Sequence, residues 1–377
     1  MAEERSSEPV HLEPFIHQVG GHSHMFSLDE ITVCKPLITR ELHFYESMPD
    51  QMKQFAPEYK GVIEVNFVED ADGYVTLVAY PPKSYERKLS VQRSESKSKR
   101  SRIRMRPSGS LEIEGEQKQP QVFEEAEPRG DEAAAGHVPH NPWLLRCDRN
   151  QLTQLAAGAL GSGSSGGGSS GHCAAPPQKY ILLENLTHKY QYPCVLDLKM
   201  GTRQYADDDS AAKQQRKKAK VATTTSSTLG VRINGMQVYQ VNLSRFICRN
   251  KYYGRKLTVD GFKQALCQFI HNGTTLRTDL LPAMIARLSE LRSVLQRQHS
   301  FRFFTSSLLV IYDGQEAMHD QPERSARGDV DVRMIDFAHA THQNFDDPVQ
   351  HSGPDQGFIF GVESLISMLK TVLQEYG

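Results

Sequence analysis

The order of elements predicts an α+β protein of two lobes with a cleft between them. Strand-like runs dominate residues 10–82, strands and a charged helix mix in residues 178–256, and apolar helices fill most of residues 258–377. Between the first two blocks lies sequence too polar and too charge-segregated to join a core. The 377 residues allow two or three packing units, but only 38% are apolar and mean hydropathy is −0.52, so folded parts are diluted by polar insertions.

In the first block, residues 31–37 read as a strand. A helix begins at Thr39, with Thr39 as its N-cap. Residues 61–68 and 74–80, joined by turn residues 70–73, form a hairpin with a longer loop. In the second block, residues 180–183 and 194–198 are short apolar strands. Residues 231–233 and 236–241 flank Asn234-Gly235, a pair suited to a type I′ turn, so a tight hairpin is expected there. Further on, residues 258–271 and 280–298 carry apolar residues at helical spacing, 307–312 and 332–337 read as buried strands, and a last helix covers about 358–375.

Residues 87–106 hold nine Lys or Arg against one acid, Glu95, and residues 112–132 hold eight acids against Lys118 and Arg129. Such blocks rarely fold. Residues 161–171, GSGSSGGGSSG, are a flexible linker by composition, and 315–328 is a third soft stretch. The six cysteines are scattered without a CxxC pair, which disfavours a zinc ribbon or disulfide framework and fits a reducing compartment. No run of 18 apolar residues is present, so no membrane span is expected, and the first residues lack the apolar stretch of a secretory signal. With a net charge of −1, any anionic partner must meet a local patch. The basic run 87–106 is interleaved with serines rather than aromatics; it reads as a nuclear address or phosphosite cluster, and no nucleic acid partner is expected.

The densest chemistry lies in Pro193-Cys-Val-Leu-Asp197-Leu-Lys199-Met-Gly201. On a strand, Asp197 and Lys199 point to one face and Leu196 and Leu198 to the other. A carboxylate and an ammonium on an apolar strand are costly unless paired or used. A structural ion pair and a catalytic pair both fit that pattern. Lys35 precedes Glu41 by six residues, strand before helix. A strand lysine held by a helix glutamate is how kinases grip phosphates, while a surface pair is the plainer alternative. Paired glycines in Val19-Gly20-Gly21-His22 permit close backbone approach to phosphate, although most such pairs are turns. His17, His22 and His24 have no cysteines or acids to complete a zinc set. Asp336 ends an apolar run before Phe337, the place of a cap or of a kinase metal carboxylate. After Asp207-Asp208-Asp209, the cations Lys213, Arg216, Lys217 and Lys220 fall at i, i+3, i+4 and i+7 of a helix, on a face without acids. That face suits a small polyanion; a solvated basic helix is the other reading.

The PxxxDxKxG pattern of residues 193–201 resembles the signature of the inositol polyphosphate kinases. The likeness continues through Leu12-Glu-Pro-Phe-Ile-His-Gln-Val-Gly-Gly-His22, Cys34-Lys35-Pro36, Arg40-Glu41, Leu182-Leu-Glu184-Asn185-Leu186-Thr187, Lys251-Tyr-Tyr-Gly-Arg-Lys256 and Met334-Ile-Asp336-Phe-Ala-His339, all similar to the inositol hexakisphosphate kinase branch. It implies a protein-kinase-like two-lobed fold with ATP in the cleft and disordered insertions. Residues 1–84 would then be the first part of the N-lobe, 85–140 a disordered insertion, 141–177 a poorly structured connection containing the linker, and 178–377 the hinge, substrate-binding helix and C-lobe.

The resemblance also implies roles. Lys35 would hold ATP phosphates with Glu41 as its partner, and the backbone of Glu184, Asn185 and Leu186 would form the hinge that receives adenine. Asp336 would bind Mg²⁺. Lys199 would bridge the γ-phosphate and the substrate. Pro193, Asp197, Lys199 and Gly201 carry the substrate-side motif, with Asp197 also assigned to the ATP ribose, and Lys213, Arg216, Lys217 and Lys220 would face the inositol phosphate. Ala211-Ala212 stand where the family usually has acids, and Lys218 adds charge. The expected reaction is phosphorylation of inositol hexakisphosphate in cytoplasm and nucleus. A multikinase for less phosphorylated inositols and a non-catalytic inositol phosphate scaffold are the alternatives.

Overall fold

The computed structural model describes residues 9–20, 25–69, 74–81, 102–105, 111–114, 122–124, 177–315 and 330–377. The N-lobe strands are β1 (Val10–His11), β2 (Glu13–Pro14), β3 (Phe26–Asp29), β4 (Thr32–Pro36), β5 (Tyr59–Glu69), β6 (Tyr74–Ala79), β7 (Arg102–Met105) and β8 (Leu111–Glu114). After β9 (Val122–Glu124), β10 (Gln178–Glu184) returns to the lobe and inserts between β4 and β5, antiparallel to both. The sheet order is β2-β3-β4-β10-β5-β6-β7-β8, with β1 on β6. The two faces separate by alternation. Cys34, Tyr180 and Leu182 join Val10, Leu12, Phe26, Ile63, Val65 and Leu77 in a core of the lobe's own. Val33, Ile181 and Leu183 face the other way and join the main core. Lys35 shares the face of Val33, which is the cleft side, where α1 (Thr39–Glu46) and α2 (Asp50–Lys53) pack.

The C-lobe sheet is built from β11 (Pro193–Met200), β12 (Val231–Gln240), β13 (Arg245–Arg249), β15 (Ser307–Asp313) and β16 (Asp331–Ile335), in the order β16-β15-β11-β12-β13-β9. A small pair, β14 (Arg302–Phe303) with β17 (Ala340–Thr341), closes the far side. The helices are α3 (Ala211–Ala222), α4 (Thr225–Leu229), α5 (Lys251–Lys256), α6 (Val259–Phe269), α7 (Leu281–Gln296) and α8 (Gln356–Tyr376). Thr258 caps α6 by accepting from Gly261 N–H, as its position before the periodic run predicts. The helix α8 is long and apolar enough by length and composition to cross a membrane, yet Phe358, Ile359, Val362, Leu365, Leu369 and Val372 are buried in the main core. It serves here as a core helix.

Three expectations change. The Asn234-Gly235 pair is not a hairpin turn. β12 runs straight through it, and the register with β11 passes from Asp197↔Gly235 to Leu198↔Ile233, leaving Asn234 as the extra residue of a bulge. Pairing with β11 on one edge and β13 on the other overrides the local turn preference. Thr39 is the first helical residue rather than the N-cap; Ile38 caps α1 without a side-chain bond, because tertiary ion pairs from Arg40 and Glu41 fix this helix. Residues 85–140 are not wholly without structure, since β7, β8 and β9 lie within them. The β7–β8 register sets Arg102 opposite Glu114 and Arg104 opposite Glu112. The rest of that insertion, the connection 141–176 with its Gly/Ser linker, and Gly21-His22 lie outside the described residues.

Candidate active site

Lys35 Nζ lies 2.8 Å from Glu41 Oε1 and 2.8 Å from Asp336 Oδ1. Glu41 is fully buried and also accepts from the Phe337 N–H at 3.0 Å, so α1 is fastened to the residue after Asp336. Arg40 adds a second fastening, with its guanidinium on both oxygens of Asp347 and its Nε on the Ala340 carbonyl. Asp336 has φ +65°, a left-handed conformation that Asp tolerates better than most residues. This bend sets its carboxylate between Lys35 and Lys199, whose Nζ is 3.7 Å from Oδ2. Burial opposes charge throughout this cluster. Even so, Lys35 and Lys199 hold Asp336 well below the usual carboxylate range, and Asp336 and Glu41 raise Lys35 above the usual lysine value. Burial pushes Lys199 down, with Asp336 and Asp197 offsetting it in part.

Strand β11 orders the cleft. Val195, Asp197 and Lys199 share one face, at steps of roughly 6–7 Å. Val195 belongs to a small apolar cluster with Val19, Leu186, Tyr190 and Ile311, flanked by Leu309 and Ile335. This apolar cluster lies beside residues 184–186, the segment expected to be the hinge. Asp197, next along, is 1% exposed; burial raises its pKa, and Asn234 Nδ2 donates to its Oδ2 at 2.8 Å. Lys199 comes next, beside Asp336 and the Ser307 hydroxyl.

The hinge differs in detail from expectation. Glu184 and Asn185 were expected to offer free backbone edges. Their N–H groups instead donate to Glu58 and Ile31 carbonyls, because both residues still belong to the sheet's hydrogen-bonding edge. The Asn185 side chain is also used, bonding the Glu30 carbonyl and Thr187. Glu184 accepts from Glu58 N–H and Arg333. Among the described residues, the Leu186 N–H has no such bond.

On the other side of Lys199, β12, α5 and the end of α3 bring several cations together. Arg232 stands opposite Lys199 in the β11–β12 register. It is 7% exposed, its Nη1 has no partner among the described residues, and burial with Arg255 nearby lowers its pKa to about 10. Arg255 Nε is likewise buried without a partner among the described residues. Lys220 is lowered by burial and by the charges of Arg255, Arg232, Lys251 and Lys217. The helix α3 that carries Lys220 buries no residue of its own. Its N-terminus is capped by Ser210, and its expected acid-free face meets an acid after all: Asp209, just before the helix, holds Lys213 and Lys217 Nζ each at 2.6 Å. Asp209 stands four residues before Lys213 but ahead of the cap Ser210, so a face counted from within the helix omits it.

The model of the family "Inositol polyphosphate kinase" matches residues 180–370. Inositol hexakisphosphate kinase 1 of Mus musculus is 43% identical, over 97% of this chain and 94% of that protein. The chain belongs to the inositol polyphosphate kinase family. Inositol hexakisphosphate kinases 2 and 3 of Homo sapiens are each 40% identical, covering 99% and 96% of this chain. A solved structure, the inositol phosphate multikinase Ipk2 of S. cerevisiae in complex with ADP and Mn²⁺, is 28% identical, with a TM-score of 0.44 over 52% of this chain and 84% of that one.

In this kinase, then, the expected residues Lys35, Glu41, Asp336, Lys199 and Asp197 come together in one cleft. Pro193 does not: it opens β11 roughly 20 Å along the strand from Lys199, and its carbonyl accepts from Gln237. Gly201 has φ +91° and donates its N–H to the Gly230 carbonyl at 2.7 Å, which turns the chain out of β11. Arg216 is exposed on α3. Sequence reasoning missed the apolar cluster around Val195 and the cations Arg232, Lys251 and Arg255. An arginine inside Val231-Arg-Ile233 and the i, i+4 pair Lys251/Arg255 in a short helix were the available signals.

Proposed function

We propose that this enzyme transfers the γ-phosphoryl group of ATP to inositol hexakisphosphate, forming a diphosphoinositol pentakisphosphate. The observation that carries the reading is the position of Lys199. It touches the Asp336–Lys35–Glu41 array on one side and adjoins a same-sign cluster of cations, with Arg232 buried among them, on the other. A phosphoryl donor and a polyanionic acceptor would meet there. The 40–43% identity to inositol hexakisphosphate kinases supports that substrate over less phosphorylated inositols.

The β11 face suits a nucleotide in order: base at Val195, ribose at Asp197, phosphates at Lys199 with Lys35. Mg²⁺ favours one or two carboxylates completed by phosphate oxygens and water. Asp336 fits that demand, and among the described residues no denser cluster of His, Cys, Asp or Glu is present. The cation would neutralise phosphate charge there. The protein's own share is positioning and charge: Lys35 and Lys199 on phosphate oxygens, and α1 held in place by Arg40 and Glu41. The acceptor is a phosphate oxygen with a second pKa of about 6, already anionic near neutral pH. No general base is needed, so Asp197 serves as acceptor for the ribose hydroxyls. The proposed setting is cytoplasm and nucleus, the latter on the basic stretch 97–102.

Incubation with ATP and Mg²⁺, with inositol hexakisphosphate or less phosphorylated inositols in parallel, and separation of products by charge, tests the reading. A product more charged than inositol hexakisphosphate is expected. Turnover of the less phosphorylated inositols alone would support the multikinase alternative, and no transfer to any would support a scaffold.

A further inference from the structure

The Asn234-Gly235 bulge lies at one place in the C-lobe sheet, opposite Asp197. A bulge in the middle of a sheet re-aims a side chain. Here the re-aimed group is the Asn234 amide, whose Nδ2 reaches Asp197 Oδ2 at 2.8 Å. The pair is roofed by the N-lobe. A Cβ added at Gly20 would fall 1.9 Å from Asp197 Oδ2 and 2.6 Å from Asn234 Nδ2, and one at Gly235 would fall 1.9 Å from the Val19 carbonyl. Two glycines therefore let the Val19–Gly20 backbone press onto the bulge. The result is an asymmetric carboxylate: Oδ2 is taken by Asn234 and covered by Gly20, while Oδ1 is buried with no hydrogen-bond partner among the described residues. The Ser307 hydroxyl interacts with the Asp197 carboxylate, Lys199 adjoins Ser307, and Asp336 lies beyond Lys199.

We propose that Asn234 is a positioning residue for the nucleotide: it fixes the Asp197 carboxylate through Oδ2 so that Oδ1 accepts a ribose hydroxyl, and so sets the preference for a ribonucleotide over a deoxyribonucleotide phosphoryl donor. The inference rests on the assignment of Asp197 to the ribose. An ordinary carboxylate can rotate to offer either oxygen. Pinned by a bulge on the neighbouring strand and a glycine above, this one offers Oδ1 in a single orientation, one side-chain repeat of β11, roughly 6–7 Å, from Val195 and its apolar cluster.

The test compares ATP with 2′-deoxy-ATP and 3′-deoxy-ATP as donors, reading kcat and KM in the full-length enzyme, Asn234→Leu, Asn234→Asp and Asp197→Asn. The native enzyme should prefer ATP over at least one deoxy donor by about 10- to 100-fold in kcat/KM, the value of one hydrogen bond to a charged group. Both Asn234 variants should bring that ratio close to unity, mainly through a higher KM for ATP, with the KM for inositol hexakisphosphate little changed. Asn234→Asp is nearly isosteric, so it answers the question if Asn234→Leu does not fold. A merely structural role would weaken ATP and both deoxy donors equally; an unchanged ratio in both Asn234 variants, with the ratio lost in Asp197→Asn, overturns the proposal and leaves the ribose assignment standing. A ratio that survives in Asp197→Asn overturns the ribose assignment and the proposal with it.

Discussion

Lys35, Glu41, Asp336 and Lys199 alternate in sign, whereas Lys220, Arg232, Lys251 and Arg255 all carry the same one, and the two groups adjoin at Lys199. In the alternating group each charge has a partner within 4 Å, so the geometry exists before any ligand arrives. In the same-sign group, Arg232 Nη1 and Arg255 Nε are buried without partners among the described residues. Burying charge without a partner is costly, and an incoming anion removes that cost. One region is therefore neutralised and pre-formed, and the other carries positive charge that is not neutralised in the same way.

The largest expected effect belongs to the residue shared by both. Lys199→Ala should lower phosphoryl transfer by about 10³-fold while the protein stays folded, because Leu196, Leu198 and Met200 keep the opposite face of β11 in the core. Activity retained within a few-fold would mean that the regions are coupled by something else.

Glu41→Gln breaks the alternating group. Removing one member of a buried ion pair costs about 3–5 kcal/mol, so chemical denaturation should show a clear loss of stability, accompanied by a higher KM for ATP. An unchanged denaturation midpoint would show that Lys35 is held adequately by Asp336 alone.

Lys220→Gln sharpens the contrast, because the stability change should have the opposite sign. Relieving repulsion should leave the thermal midpoint equal or slightly higher. The KM for inositol hexakisphosphate should rise by about tenfold, with a shallower salt dependence and the KM for ATP unaltered. Equal weakening toward both substrates would make the cluster a general field rather than an acceptor site.

The smallest effect concerns Asp209. Burial opposes its charge, but Lys213 and Lys217 hold its pKa well below the ordinary carboxylate value. Its stabilising contribution is therefore complete above the unfolded value of about 3.9 and is lost as pH falls toward the lower folded value. Asp209→Asn should cost about 1–2 kcal/mol at pH 7 and should make stability less steep between about pH 4 and pH 2. Urea titrations at neutral and acid pH measure both. An equal acid slope in the two proteins would remove Asp209 from the clamp.

How much was legible in advance varies with the range of the interaction. The strands β4, β10, β11 and β15 and the helices α6, α7 and α8 are readable from local apolar periodicity, and Lys35, Glu41, Asp197, Lys199 and Asp336 stand out as charges attached to such elements. Their chemistry was readable because residue type and local period are properties of a short window of chain.

Partnership is not such a property. Lys35 and Asp336 are 301 residues apart, Arg40 and Asp347 307, and only folding brings each pair together. The bulge at Asn234, the strands inside the charged insertion and the clamp at Asp209 each overrule a local preference, since a strand with neighbours on both edges gains more from continuing than from turning. Residue order alone settles which groups carry charge and which elements hold them. Which charges are neutralised and which are left for a ligand is settled by folding, because burial and distance, not order along the chain, set the energy of a charge.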